Sequence, residues 1–122
     1  MFTLVAGAEP AARRAALRVG DEDMLAPQLV DLEVVSVLRR LVVRGDLPLS
    51  LAAAGLRHLA ALDLIRVDHG PLLQRCWELR HNLTPYDAAY VALAETLGAP
   101  LLTIDRRLAG ASGPHCPVEV LT

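Results

Sequence analysis

The stretch from Thr84 to Asp105 constrains the fold of this chain more than any other segment. Thr84 can cap a helix, Pro85 suits the first helical position, and Asp87 stands where a capping box places its acid. Gly98 then ends the helix, and the apolar run that follows predicts a buried strand finishing on Asp105. An acid at the end of such a strand lies at the carboxyl edge of a sheet, where open α/β sheets keep their functional sites.

Composition sets the size of the core and the kinds of partner. The 122 residues and 13.1 kDa correspond to a single domain over residues 1–122, which is large enough to bury a core without disulfides or metals. The hydrophobic fraction is 53% but aromatic residues make up 3%, so the core must be aliphatic. The net charge of -2 gives no global basic field, and any nucleic-acid footprint would have to be local.

Cysteine usage and the apolar runs point to a cytoplasmic protein. Cys76 and Cys116 lie in different segments without metal-ligand spacing, so neither a zinc site nor a disulfide framework is indicated. The first eight residues are apolar but lack a basic lead-in and are too short for a signal peptide. No run approaches the roughly 18 apolar residues of a membrane span.

Helices and strands alternate along the rest of the chain. The pattern favours an α/β fold with a mainly parallel sheet and a surplus of helix. The helix that begins at Pro27 is apolar nearly all round, which predicts a central helix. The predicted helices cover 9–18, 27–45, 47–62, 72–81, 84–97 and 106–109, and the predicted strands cover 24–25, 64–68, 101–104 and 118–121.

Glu33 is the first carboxylate in an unexpected place. Its helical neighbours are mostly apolar, and burying a charge costs several kcal/mol unless the group is paired or ligates a metal. A buried ion pair with Arg40 or Arg80 is the alternative explanation. Asp31, in the first turn of the same helix, is interpreted as a helix-dipole residue.

Asp87 and Asp105 have structural explanations as well as functional ones. Asp87 in a first helical turn stabilises the helix by about 0.3–1 kcal/mol without any further role. Asp105 can cap the short helix that begins at Arg106. If Glu33 joins these two acids at the carboxyl edge, each pair about 4 Å apart would repel by about 4 kcal/mol at an effective dielectric of 20. Such a cluster must hold a proton or a cation, and all-oxygen ligands favour Mg²⁺ or Mn²⁺.

Three segments of the chain resemble a known family. "APQLVDLEVVSVLRR", "ELRHNLTPYDAAYVALAETLGAPLLTIDRRL" and the closing "VEVL" are similar to the PIN-domain toxins of the VapC type, the ribonuclease partners in bacterial toxin–antitoxin pairs. The resemblance covers nearly the whole chain. It implies a three-layer α/β/α fold, Mg²⁺- or Mn²⁺-dependent endonucleolytic cleavage of RNA, frequent homodimers, and a cognate antitoxin whose tail occupies the active-site groove.

The resemblance also assigns roles to residues of this chain. The catalytic, metal-ligating acids of the family fall on Glu33, Asp87 and Asp105, and Thr103 matches the polar residue that often precedes the last acid. Arg106 and Arg107 follow Asp105 directly and Arg40 lies two turns beyond Glu33, so these arginines are candidates for phosphate contacts. A solvated face or an ion pair is the alternative explanation of the arginines.

The start of the chain departs from the family pattern. The family opens with a central strand ending in "D-x-S/T", whose aspartate is the first metal ligand, and no segment here matches it. Residues 1–7 resemble the helix that follows that strand. The comparison of motifs therefore predicts an N-terminally incomplete domain with exposed strand edges and weakened metal coordination.

Two other functions remain open on the sequence. The first is a catalytically impaired remnant that binds antitoxin or a partner subunit without cleaving RNA, and the absent first acid favours it. The second is an α/β domain whose acidic edge binds Mg²⁺ and a phosphorylated small molecule, which ranks low because no Gly-rich phosphate loop is present.

Overall fold

The computed structural model describes residues 2–4 and 20–121, and its centre is a five-stranded sheet. The strand order is β3-β2-β1-β4-β5 and every neighbouring pair is parallel. Parallel strands need crossover connections, and helices provide them between β2 and β3 and between β3 and β4. The strands are β1 (Phe2–Leu4), β2 (Met24–Pro27), β3 (Leu64–Val67), β4 (Leu101–Thr103) and β5 (Val118–Val120).

Helices account for most of the remaining described residues. The predicted helix-rich α/β architecture is confirmed, with one additional 3₁₀ turn over Gly70–Leu72. No helix in the described part of the chain is both long and apolar enough to cross a bilayer. The helices are α1 (Val30–Val43), α2 (Leu49–Ala61), α3 (Leu73–Glu78), α4 (Pro85–Leu97) and α5 (Arg106–Ala109).

Helix α4 forms the core of the molecule. Every residue from Ala88 to Ala94 is buried, and the helix packs against β1, β2, β4 and α3. Four of these seven residues are alanines, which let the helix approach the sheet closely on more than one side. Its start and end agree with the predicted signals: Thr84 Oγ1 accepts the Asp87 N–H at 3.2 Å, and Gly98 ends the helix with φ of 62°.

Helix α1 differs from its prediction in both position and start. It is not central, because Val30 is its one buried residue and Leu32 and Val43 are 73% and 71% exposed. The apolar pattern of α1 predicted buried side chains, but in this single chain most of them are partly or largely exposed. Pro27 does not begin the helix but ends β2, since the Gln28 N–H donates to the Val67 carbonyl at 2.9 Å and keeps the backbone extended along β3.

Polar contacts attach the first turn of α1 to neighbouring segments. Asp31 lies in the first turn as predicted, and its carboxylate also accepts three hydrogen bonds from Arg66 on β3, one from Nη2 at 2.9 Å and two from Nε at 3.2 and 3.3 Å. His69 Nε2 accepts the Leu29 N–H at 3.0 Å and so satisfies an amide at the start of the helix. These contacts fix the end of α1 that carries Glu33.

The beginning of the chain is a strand rather than the predicted helix. Phe2–Leu4 lies between β2 and β4, with Thr3 in register with both Leu25 and Leu101. The predicted absence of a central strand is therefore wrong, because a three-residue apolar run cannot be assigned to helix or strand by periodicity. The predicted helix over 9–18 lies outside the described residues. The first aspartate of the sequence is Asp21, so the strand Phe2–Leu4 is not followed by the aspartate of the family's "D-x-S/T" motif.

Candidate active site

The sheet order places a topological switch point between β1 and β4. The chain passes from β1 to β2 and β3 on one side of β1, whereas β4 and β5 lie on the other side. In open parallel sheets, ligands bind in the crevice at the carboxyl ends of the strands that flank this point. Asp105 follows β4 after one residue and therefore lies at this edge, as the sequence predicted.

Thr103 and Asp105 form a structured turn at the end of β4. The Thr103 side chain is fully buried, and its Oγ1 accepts the Asp105 N–H at 3.0 Å. The Asp105 carboxylate in turn caps α5 by accepting the Arg107 N–H at 2.9 Å. The structural role of Asp105 as an N-cap is thus confirmed, and the capping contact orients its carboxylate.

Arg107 forms an ion pair with Asp105. Its Nε and Nη2 lie 3.2 and 3.1 Å from the two carboxylate oxygens. This guanidinium holds the pKa of Asp105 below its ordinary value, with smaller contributions from backbone hydrogen bonds. The ion-pair explanation therefore applies to Arg107, whereas Arg106 and Arg40 are exposed and have no ion pair with another described residue.

Asp87 is half-buried in the first turn of α4. Burial raises the pKa of its carboxyl, and the negative charge of Asp105 raises it further. Arg107 and the hydrogen bond with Thr84 oppose this shift without cancelling it. Asp87 therefore serves the helix start, as the structural explanation predicted, and also lies within electrostatic range of Asp105.

Glu33 reaches the same region from α1. Its carboxylate accepts a hydrogen bond from the hydroxyl of Tyr90 on α4. Burial raises the pKa of Glu33, the Tyr90 hydrogen bond lowers it, and the charge of Asp87 raises it. The alternative explanation, an ion pair with Arg40 or Arg80, finds no such contact among the described residues. The Arg80 guanidinium instead lies over the Trp77 ring, 4.6 Å from its centroid.

The three acids form a chain of electrostatic interactions with Asp87 in the middle. Asp87 interacts with Asp105 on one side and with Glu33 on the other, and each interaction is repulsive. A hard divalent cation would relieve this repulsion, and carboxylate oxygens are the donors it prefers. The oxygen donors of the three acids therefore suit such a cation. Among residues 2–4 and 20–121, however, no three His, Cys, Asp or Glu side chains stand close enough to form a metal site, and Asp105 is paired with Arg107. Binding would require these acids to move closer together and Asp105 to leave Arg107.

Comparison with known proteins identifies the family. The PIN domain model matches residues 2–113. Ribonuclease VapC1 of Mycobacterium tuberculosis is 46% identical over 97 residues, which is 79% of this chain and 73% of the relative. Ribonucleases VapC9 and VapC12 of the same organism are 42% and 37% identical, over 84% and 92% of this chain and 81% and 87% of their own lengths. The chain belongs to the VapC-type PIN-domain ribonucleases. Membership confirms the α/β PIN fold that the motifs implied.

In this VapC-type chain an open groove lies beside Glu33. It has a volume of about 270 Å³ and is lined by Leu29, Leu32, Glu33, Ser36 and Tyr86. Neither Ser36 nor Tyr86 was among the site residues predicted from the sequence. The hydrogen bond from Tyr90 was also missed, although the predicted α4 places Tyr90 one turn after Asp87.

Proposed function

We propose that this chain is the toxin of a type II toxin–antitoxin pair and an endoribonuclease that requires Mg²⁺ or Mn²⁺. Glu33, Asp87 and Asp105 hold the cation. The observation that carries the proposal is that Asp87 at the start of α4 lies within electrostatic range of two other carboxylates, Glu33 on α1 and Asp105 at the end of β4. Family membership supports it, because the relatives at 46% and 42% identity are named ribonucleases.

The residues of the chain have separate tasks in this reaction. When bound, a divalent cation supplies positive charge that stabilises the phosphate undergoing attack and activates a water nucleophile. Asp87 stands between the other two acids, and the charge of a bound cation would offset the repulsion between Asp87 and each of them. Thr103 contributes by holding the Asp105 backbone, since its buried hydroxyl cannot contact RNA directly.

The arginines near the acids supply phosphate contacts. Arg106 and Arg40 are exposed, and guanidinium groups bind phosphate oxygens in a forked geometry. Arg107 pairs with Asp105, and we expect it to become available for phosphate if Asp105 turns to a cation. We expect Arg106→Gln to weaken RNA binding and to reduce its salt dependence.

The remaining partners follow from the same proposal. The cognate antitoxin occupies the groove beside Glu33, and two copies of the chain form a homodimer. RNA is the substrate, the protein acts in the cytoplasm and no membrane is involved. Large apolar side chains exposed on α1 and α2 support a partner surface on these helices.

RNA cleavage by paired variants tests this proposal. Asp87→Asn keeps the size of the side chain but removes the charge, and we expect it to reduce cleavage at least 100-fold. Asp63→Asn is the matched control, because Asp63 is exposed and precedes β3 at the opposite, amino edge of the sheet. Wild-type cleavage should stop in EDTA and return with Mn²⁺ or Mg²⁺. Cleavage that survives Asp87→Asn would overturn the assignment.

The same assay distinguishes the non-cleaving alternative. The ion pair between Arg107 and Asp105 favours this alternative, because it occupies one acid of the set. A wild-type protein that binds its antitoxin but leaves RNA intact with both cations would support the binding-only function. Metal-dependent cleavage by the wild type together with inactive Asp87→Asn would exclude it.

A further inference from the structure

Tyr90 joins the two helices that carry Glu33 and Asp87. Its hydroxyl donates a hydrogen bond to the Glu33 carboxylate across 57 positions of sequence. Tyr90 also follows Asp87 by three residues, so the two side chains lie on neighbouring positions of one face of α4. One helix therefore provides both an acid of the site and the group that holds a second acid beside it.

The environment of Tyr90 fixes the position of its hydroxyl. The side chain is fully buried, and it packs in the core cluster with Ala26, Val91 and Leu101. A ring enclosed in this way has little freedom, and a buried tyrosine hydroxyl requires a polar partner. Tyr90 thus presents its hydroxyl from the rigid core to a more exposed helix.

Glu33 depends on this contact more than an acid on a buried helix would. Val30, three residues before Glu33, is the one buried residue of α1. Arg66 and His69 attach the start of this helix, but their hydrogen bonds go to Asp31 and Leu29 and not to the Glu33 carboxylate. The bond to Tyr90 involves Oε1 of Glu33, and in the part of the chain that the structure describes no hydrogen bond to Oε2 accompanies it. The carboxylate is therefore held by one oxygen, and the charge of Asp87 acts on it.

We propose that Tyr90 is a positioning residue of the active site, which holds the Glu33 carboxylate beside Asp87 so that both acids can bind one divalent cation. This inference rests on the proposed function. Residues that hydrogen-bond to metal ligands typically change metal affinity by about 10- to 100-fold when they are removed. Tyr90 contacts neither cation nor RNA in this account, and it acts through Glu33.

Mn²⁺ binding to matched variants tests the role of Tyr90. Tyr90→Phe removes the hydroxyl and keeps the ring, and we expect Mn²⁺ affinity, measured by calorimetry, to fall about 10-fold or more. Thr96→Val is the control: it removes a hydroxyl that donates to the Ala92 carbonyl on the same helix at 2.8 Å, away from the acids. The control should bind Mn²⁺ as the wild type does.

A double-mutant cycle separates positioning from a general loss of structure. If Tyr90 acts through Glu33, Tyr90→Phe should have little further effect on Mn²⁺ affinity in a Glu33→Gln background. Equal effects in both backgrounds would overturn the inference. So would unchanged Mn²⁺ affinity of Tyr90→Phe beside a wild type that binds normally. A wild type that does not bind Mn²⁺ would overturn the proposed function and this inference together.

A measurement on the wild type covers the case in which Tyr90→Phe does not fold. The chain has two tyrosines, so labelling the ζ-carbon of tyrosine gives two signals, which a Tyr86→Phe variant assigns. We expect saturating Mg²⁺ to shift the Tyr90 signal, because the hydrogen-bonded carboxylate becomes a ligand. A Tyr90 signal that stays in place while Mg²⁺ binds would contradict the proposal.

Discussion

Asp87 experiences two unfavourable effects at once, burial and the charge of a neighbouring acid. Both raise the pKa of its carboxyl above the ordinary value of 3.8, and burial is the larger effect. An acid whose pKa is raised by folding binds a proton more tightly in the folded protein. Its stabilising contribution is complete below the unfolded pKa and is lost as the pH rises through the folded pKa.

The upward shift of the Asp87 pKa predicts how this residue affects the stability of the protein in the absence of metal. We expect Asp87→Asn to be more stable than the wild type at pH 7 in EDTA, because asparagine removes the charge that burial and Asp105 oppose. The difference should vanish as the pH falls below about 3.8, where Asp87 is protonated in both folded and unfolded chains. Urea denaturation at several pH values measures it. A wild type that is the more stable protein at pH 7 would contradict this electrostatic account.

The residues of the site were predictable to different degrees. Glu33, Asp87 and Asp105 stood out because an acid is unusual on an apolar helix face or after a buried strand. The partners of these acids were less predictable. An ion pair was one of two explanations for Arg107, and the hydrogen bond from Tyr90 to Glu33 was missed because it depends on tertiary structure. The ion pair considered as the alternative explanation of Glu33 is replaced by the Tyr90 hydroxyl for the same reason.

At the scale of elements, the sequence predicts best where the signals are local. The start and end of α4 were read correctly, because Thr84, Pro85 and Gly98 act within one turn of the helix. Two predictions about other elements were wrong. Phe2–Leu4 forms the central strand although its sequence resembled a helix, and α1 is exposed although its pattern predicted burial. Both errors concern packing against distant segments, which periodicity cannot specify.

The cap of α4 is the element-level feature whose energy can be measured. Thr84→Ala removes the oxygen that accepts the Asp87 N–H, and we expect a loss of about 0.5–2 kcal/mol in the free energy of unfolding. Thr84→Ser keeps the oxygen and should retain most of the stability. Chemical denaturation of the three proteins provides the comparison. Equal losses in the alanine and serine variants would show that the methyl group, not the cap, stabilises the helix.

At the scale of the whole molecule, the apolar side chains of α1 and α2 require a covering surface. Val43 and Leu49 are 71% and 74% exposed at the two ends of the connection between these helices. Isolated exposed apolar residues are normal, but several on adjoining helices are typical of an interface. The exposed apolar side chains of α1 thus support a second copy of the chain on this side.

Sedimentation equilibrium tests the homodimer. We expect a mass of twice the 13.1 kDa of one chain, and the double variant Val43→Glu/Leu49→Glu should sediment as a monomer. Leu73→Glu on α3 is the control, because Leu73 is also exposed but lies outside α1 and α2. A monomeric wild type would contradict the homodimer, and the antitoxin would then remain as the partner that covers these apolar side chains.

Anomalous diffraction from crystals soaked with Mn²⁺ tests the central claim most directly. If Glu33, Asp87 and Asp105 form one cation site, a Mn²⁺ peak should lie within coordination distance of all three carboxylates, with Asp105 rotated away from Arg107. The charge of the bound ion would then balance the repulsion between Asp87 and the other two acids. A saturated crystal in which Mn²⁺ binds elsewhere, or in which Asp105 remains paired with Arg107, would contradict the account.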